Sequence, residues 1–339
     1  MTDRFSLLFL AAIVVLITLG AASVATGPVP LTLAHWLAVL RVDTAAKDAE
    51  TAAYVLYSLR LPRTIQGLAA GALLGFAGCT MQALFRNPLA EPGILGVSAG
   101  AAVGAASTAT LLPVWLVDYG FGSLLALGAV AGSLANLALL WVFAVRRPDP
   151  HPTPLLLAGV ALSAFWGSLL GLLLFLSDDA RLRAVTFWTL GSLSGSHWTG
   201  ALSSSVLAVF VGLAARTISA QLDLLLLGDV NAATSGLILK ELRRRIVWWS
   251  GLAVGVAVAF TGPVGFVGFL APHWGRQWVG ALHRRLLPFS MILGSSLLLG
   301  ADIAARHFAS PAELPLGTVT GLVGGAVLWR IFVRARGDL

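Results

Sequence analysis

The sequence is poor in charge. Only 11% of its 339 residues are Asp, Glu, Lys or Arg, against about 25% in a soluble globular domain, so water cannot be the solvent for most of its surface. Cysteine is nearly missing. The single Cys79 excludes an internal disulfide and a multi-cysteine metal site, and within its apolar run it reads as a small packed side chain. Lysine is scarce too: Lys47 follows Ala46 and Lys240 follows Leu239, so neither completes the Gly-Lys-Ser/Thr of a phosphate-binding loop. The sequence holds no His-Glu-x-x-His, which removes one motif route to an intramembrane hydrolase. The chain therefore reads as no enzyme, with no cofactor and no metal site of its own.

What is present is apolar: 58% of the residues are hydrophobic and the mean hydropathy is +0.88. Nine stretches lack any charge: Phe5 to Leu40, Thr64 to Phe85, Pro92 to Val117, Tyr119 to Val145, Pro152 to Ser177, Ala184 to Ala215, Ile246 to Gly275, Leu286 to Ala301 and Leu314 to Trp329. Most reach the ~20 residues that a tilted membrane helix needs, and the last two borrow flanking residues. The stretch from Ile246 contains Gly262-Pro263 and Pro272, so we divide it into a full span and a shorter, broken one. The expectation is an all-α polytopic membrane protein of about ten transmembrane helices, with residues 1–339 forming a single domain. The N-terminal stretch lacks a short apolar region followed by a small-residue cleavage site, so it reads as the first span and not as a removable signal peptide.

The net charge of +7 comes from twenty arginines and two lysines against fifteen acids. Basic clusters lying between apolar spans follow the positive-inside bias and need no nucleic acid partner. With the N-terminus inside, the cytoplasmic loops and tails collect Arg4, Arg86, Arg146, Arg147, Arg216, Lys240, Arg243, Arg244, Arg245, Arg276, Arg284, Arg285, Arg330, Arg334 and Arg336. The outer side collects Arg41, Lys47, Arg60, Arg63, Arg181, Arg183 and Arg306, accompanied by Asp43, Asp48, Glu50, Asp178 and Asp179. Fifteen against seven orients the chain, and an even number of helices returns both termini to the cytoplasm. Trp36, Trp115, Trp248, Trp249 and Trp329 fall near the span ends, as interfacial anchors do. Glycines recur every four residues at Gly67, Gly71 and Gly75, at Gly96, Gly100 and Gly104, and at Gly317, Gly321 and Gly325, which puts small residues on one helical face where backbones can approach closely.

The longest internal polar segment, Arg216 to Arg245, reads Gln221-Leu222-Asp223-Leu224-Leu225-Leu226-Leu227-Gly228-Asp229 and continues to Gly236. A plain connection needs neither this length nor these leucines. Residues near 217–240 therefore read as a cytoplasmic docking segment, carried by Leu222, Leu225, Leu226, Leu227, Gly228, Asp229 and Gly236; a helix lying in the lipid interface is the alternative.

Five blocks in register resemble one family. They are this segment; Arg60-Leu-Pro-Arg63; Gly78-Cys-Thr-Met-Gln82-Ala-Leu-Phe-Arg86-Asn87-Pro88-Leu89-Ala-Glu91-Pro92-Gly93-Ile-Leu-Gly96; Gly262-Pro-Val-Gly265-Phe266-Val-Gly268-Phe-Leu-Ala-Pro272-His273; and Ala301-Asp302-Ile-Ala-Ala-Arg306 with Glu313-Leu314-Pro315-Leu-Gly317. They resemble the type II ATP-binding-cassette importer permeases for iron chelates, haem and vitamin B12. The resemblance implies a homodimer in the bacterial inner membrane, two cytoplasmic ATPase subunits gripping the docking segment, and a periplasmic binding protein. Arg60, Arg63 and Arg306 match outward arginines that receive the binding protein's glutamates, a task suited to guanidinium forks. Neutralisation by Asp302 and Glu313 is the other reading of those arginines. Asn87 and Leu89 match a cytoplasmic gate, with Pro152 and Thr153 where its companion falls; Asn87 before Pro88 is equally a turn signal. Where such permeases more often carry Arg and Leu, this chain has Ala233 and Ser235.

Residues Phe187 to Gly195 resemble haem permeases more than the B12 one, so haem leads over ferric siderophore and cobalamin. His197, His273 and His307 read as structural rather than as ligands. An ion-driven secondary transporter would need buried acids, and the acids are expected in loops or, for Asp302, near an outer span end.

Overall fold

The computed structural model describes residues 2–31, 49–112, 121–145, 152–308 and 312–337, and these residues contain helices but no strand. Trp36, Arg41, Asp43, Lys47, Asp48, Trp115, Arg146 and Arg147 lie outside the described residues. In chain order α1 is Thr2–Ala25, α2 Leu61–Phe85, α3 Val97–Leu111, α4 Phe121–Leu140, α5 Pro152–Phe175, α6 Asp179–Thr189, α7 Trp198–Leu225, α8 Asp229–Thr234, α9 Leu239–Thr261, α10 Val267–Val279, α11 His283–Phe308 and α12 Leu316–Gly337. A π-helical turn, Val55–Arg60, runs into α2, and a 3-10 turn, Pro92–Leu95, precedes α3. Among the described residues, seven helices are long and apolar enough to cross a membrane: α1, α2 with its lead-in, α4, α5, α7, α11 and α12. The apolar α3 is shorter.

The bundle is built around α2. Proline is tolerated in the first turn of a helix, and Pro62 sits there; α2 is then buried from Thr64 to Leu84 almost all round. Glycine lets its neighbours come this close. A methyl group at Gly71 would meet the Gly294 carbonyl of α11, one at Gly75 the Ser290 carbonyl, and one at Gly78 the Gly268 carbonyl of α10. The same device joins α3 to α4, where Gly100 and Gly104 face Gly132 and Gly128. These contacts let backbone meet backbone, the packing that replaces hydrophobic drive inside lipid. Buried hydroxyls and amides then pair across helices: Thr80 with Ser250 at 2.7 Å, and Gln66 with Ser204 at 2.9 Å.

The third glycine set behaves differently. Gly317 abuts the Leu190 carbonyl, while Gly321 and Gly325 on α12 have nothing within 4 Å, nor do Gly167 and Gly171 on α5. Helices α1, α5 and α12 are also the least buried of the long apolar helices.

The division of the stretch after Ile246 falls at Gly262 to Phe266, between α9 and α10. Gly262 and Phe266 both have φ of +66°, a conformation that glycine adopts freely and phenylalanine only at a cost. The expectation that Pro272 also breaks this segment is corrected, because α10 continues through it.

Candidate functional site

Three sets of residues mark the two ends and the middle of the bundle. At the end where α2 finishes, α7 continues through the expected docking segment as far as Leu225, so the first part of that segment is helix and not loop. Leu222 and Leu225 are corrected as contact residues: three apart on one helical face, they point inward and are 0% and 4% exposed. Leu226 and Leu227 are 52% and 57% exposed, and Val230 on α8 is 76% exposed. The chain turns at Gly228 (φ +94°), forms α8, and turns again at Gly236 (φ +86°). Large apolar side chains standing out of a polar end mark an interaction site.

Two carboxylates fasten this end. Asp223 accepts from the backbone N–H of His283 and from that of Arg284 at 3.4 Å, capping α11, and meets His283 Nδ1 at 3.2 Å. Asp229, first residue of α8, lies between two guanidiniums: Arg86 reaches Oδ1 and Arg243 Nη2 reaches Oδ2 at 2.9 Å. Asp229 therefore turns its charge toward its own chain. A cavity of about 330 Å³ opens beside this joint, lined by Gln82, Arg86, Leu226, Arg276 and His283.

Helix α2 ends in a Schellman motif: the Asn87 N–H bonds the Gln82 carbonyl and the Arg86 N–H the Ala83 carbonyl. Arg86 occupies the left-handed position (φ +49°) that glycine usually takes. Asn87 then accepts from the Leu89 N–H at 2.9 Å, a side-chain turn, and Leu89 is 48% exposed. Pro152 and Thr153 open α5.

The chain then re-enters the bundle. Pro92 lies against Gly268, and Gly268 against the Leu74 carbonyl; Leu74 is thirteen residues from the start of α2 and eleven from its end, about 20 and 17 Å at 1.5 Å per residue. Asn136 holds the re-entrant turn through the Leu95 carbonyl at 2.9 Å and is held in turn by Trp166 Nε1. Such non-helical backbone is tolerated at depth only where protein or a wet cavity satisfies it. Glu91, expected from the sequence in a loop, thus lies near mid-helix depth, where its Oε1 accepts the Phe266 N–H at 2.6 Å beside a cavity of about 210 Å³. The glycines and prolines around Glu91 were its only signal, and hydropathy does not distinguish a re-entrant loop from a surface one.

At the opposite end of α2, Arg60, Arg63 and Arg306 come together. Arg60 donates to the carbonyls of Val24 (2.9 Å), Ala25 (2.8 Å) and Val29, and Arg306 to those of Ser23 (3.4 Å) and Thr26 (3.0 Å). Between them they satisfy the orphan carbonyls that any helix C-terminus leaves, here the end of α1. Arg63 makes a two-pronged bond to Glu313, both arms 2.8 Å, and bonds Asp302 at 2.7 Å; Arg306 meets Asp302 at 3.0 Å. The expectation that all three face outward is corrected: Arg60 is 5% and Arg306 8% exposed, because α1 carbonyls and Asp302 enclose them. His197 bonds the Gly195 carbonyl, and His273 stacks on Phe269 and pairs with Gln277. Among the described residues no group of three potential metal ligands occurs.

A bundle of apolar helices, penetrated by a re-entrant loop and carrying an exposed leucine-rich turn at one end, has the build of a membrane transport subunit. Comparison with known proteins narrows that class. Residues 13–334 match the FecCD transport family. The chain is 36% identical over 339 residues to the hemin transport system permease HmuU of Yersinia pestis (98% of this chain, 96% of that one), and 40% identical over 287 residues to the vitamin B12 import system permease BtuC of Klebsiella pneumoniae (83% of each). A chain of an inward-facing ABC transporter of metal-chelate type superposes with a TM-score of 0.82 at 28% identity, covering 96% of this chain and 99% of that one. The chain belongs to the FecCD transport family, as a multi-pass permease subunit of an ABC importer.

Proposed function

We propose that this permease carries haem or another iron chelate from periplasm to cytoplasm across the bacterial inner membrane, as a homodimer with two cytoplasmic ATPase subunits and a periplasmic binding protein. The observation that carries the ATP-coupled reading is the exposed apolar docking segment, Leu226, Leu227 and Val230 around Gly228, hung from helices that a membrane would hold. Haem precedes siderophore and cobalamin because the likeness to the hemin permease runs nearly end to end. Ten helices cross: the seven long apolar ones, the short α3, and α9 and α10 on either side of the Gly262 break. Both termini are then cytoplasmic, in line with the excess of arginine on that side. Unfilled glycine faces on α5 and α12 support a second copy packing there.

The binding protein docks on the face framed by Arg60, Arg63 and Arg306. Arg63 is the exchangeable member, since its partner Glu313 is 27% exposed and an incoming carboxylate can take that fork. Asn87 and Leu89, with Pro152 and Thr153, form the cytoplasmic gate. One observation favours an ion-driven carrier, the deep Glu91, but its Oε1 is engaged by a backbone N–H. Proteoliposomes holding the permease, its ATPase and its binding protein decide the matter. With the proton gradient collapsed, ATP should still drive uptake, and hemin should stimulate hydrolysis more than ferric siderophore or cobalamin. Uptake that dies with the gradient and ignores ATP would refute the reading.

A further inference from the structure

We propose that Asp229 is a positioning residue that carries displacement of the docking segment into the loop beginning at Arg86, so that the gate moves with the ATPase; the proposal rests on the importer reading above. Asp229 opens α8, the short helix between the two glycine turns, so its backbone goes wherever the docked segment goes. One carboxylate oxygen holds Arg243, a residue 3% exposed at the root of α9, and the other holds Arg86, where α2 ends and the loop with Asn87 and Leu89 begins. The far end of that loop is fixed separately, by Glu91 on the Phe266 N–H. A loop tied to a moving carboxylate at one end and to the bundle interior at the other must change shape when the first tie moves.

Two features single out this contact. Arg86 holds a left-handed backbone that glycine would take without strain, so what its side chain adds at the helix end is the guanidinium that meets Asp229. The pair is also half exposed in the isolated chain, 48% and 32%. A partner covering Leu226, Leu227 and Val230 would exclude water beside it and strengthen the attraction. The joint is thus tightest when a partner is bound.

The test uses the permease and its ATPase together in proteoliposomes, with Leu89→Cys as reporter; the native Cys79 is buried and stays silent to maleimide. Trapping with ATP and orthovanadate should change the labelling rate of the introduced thiol by about fivefold, the lower range for coupling between two sites. Arg86→Gln should abolish that change while ATP hydrolysis persists, and Asp229→Asn should abolish it as well. Arg86→Lys should largely restore it, and Arg245→Gln, which breaks only the exposed pair with Glu241 on α9, should leave it intact. Should Asp229→Asn no longer bind the ATPase, Arg86→Gln carries the test, since it leaves the bond between Asp229 and Arg243 in place. A nucleotide response unchanged in Arg86→Gln overturns the proposal, and so does a parent complex that hydrolyses ATP without any change in the reporter's labelling. A parent permease that binds no ATPase at all overturns the importer reading instead.

Discussion

Asp302→Asn should be the most damaging conservative substitution at the arginine cluster, and its cost can be worked from the contacts. The carboxylate is 1% exposed and serves two guanidiniums at once, Arg63 at 2.7 Å and Arg306 at 3.0 Å. Removing one charge from a buried pair costs about 3–5 kcal/mol, because the partner is left uncompensated. Here the lower end applies, since Arg63 keeps Glu313 and Arg306 keeps the Ser23 and Thr26 carbonyls. Glu313→Gln, at a position 27% exposed, should cost only about 1 kcal/mol, as outer ion pairs do. Equilibrium unfolding of the purified permease by SDS titration in mixed micelles measures both. Adding Arg306→Met to Asp302→Asn should recover part of the loss, with a coupling of about 1–3 kcal/mol. If Asp302→Asn costs no more than Glu313→Gln, or if the double variant is simply additive, the cluster is not the fastening described.

Gly78→Ala should destabilise by about 1–3 kcal/mol in the same titration, because the added methyl would strike the Gly268 backbone, which has no side chain to yield. Leu222→Ala should cost about 2–5 kcal/mol as a core truncation. In contrast, Leu226→Asp with Leu227→Asp should leave unfolding unchanged and abolish co-purification with the ATPase; loss of fold instead would refute the division between inward and outward leucines. Gly321→Leu should leave the monomer's stability intact, as nothing lies within 4 Å of that position, while shifting the protein from dimer to monomer in size-exclusion chromatography with light scattering.

Much of the helical layout was legible from charge spacing alone, because a charge inside lipid is costly enough to mark where a span must stop. The split after Ile246 was legible as well, from Gly262-Pro263, although Pro272 gave a false second break that α10 absorbs. Glycine spacing identified the close faces of α2 and α3 but not their partners, since periodicity names a face and never the helix opposite. The leucine run carries no internal mark in the sequence: Leu222 and Leu225 share the inward face of α7, while Leu226 and Leu227 follow its end in the turn to Gly228, and only the extent of the helix to Leu225 separates the two pairs. In sequence, a charge near a span end looks the same whether it meets water, as expected of Arg60 and Arg306, or a neighbour's carbonyls, as both do in the fold. The depth of Glu91 is not legible because the Pro/Gly-rich stretch around it reads equally as a surface turn.

The meeting of α2 with α11 has a mechanical consequence. With carbonyls of one helix resting directly on the other at Gly71, Gly75 and Gly294, no layer of side chains remains to act as a lubricant. Neither rod can slide or roll past the other without prying the two apart. They travel as one plank, and whatever opens and shuts the passage must do so where the chain bends, at the turns on either side of that plank.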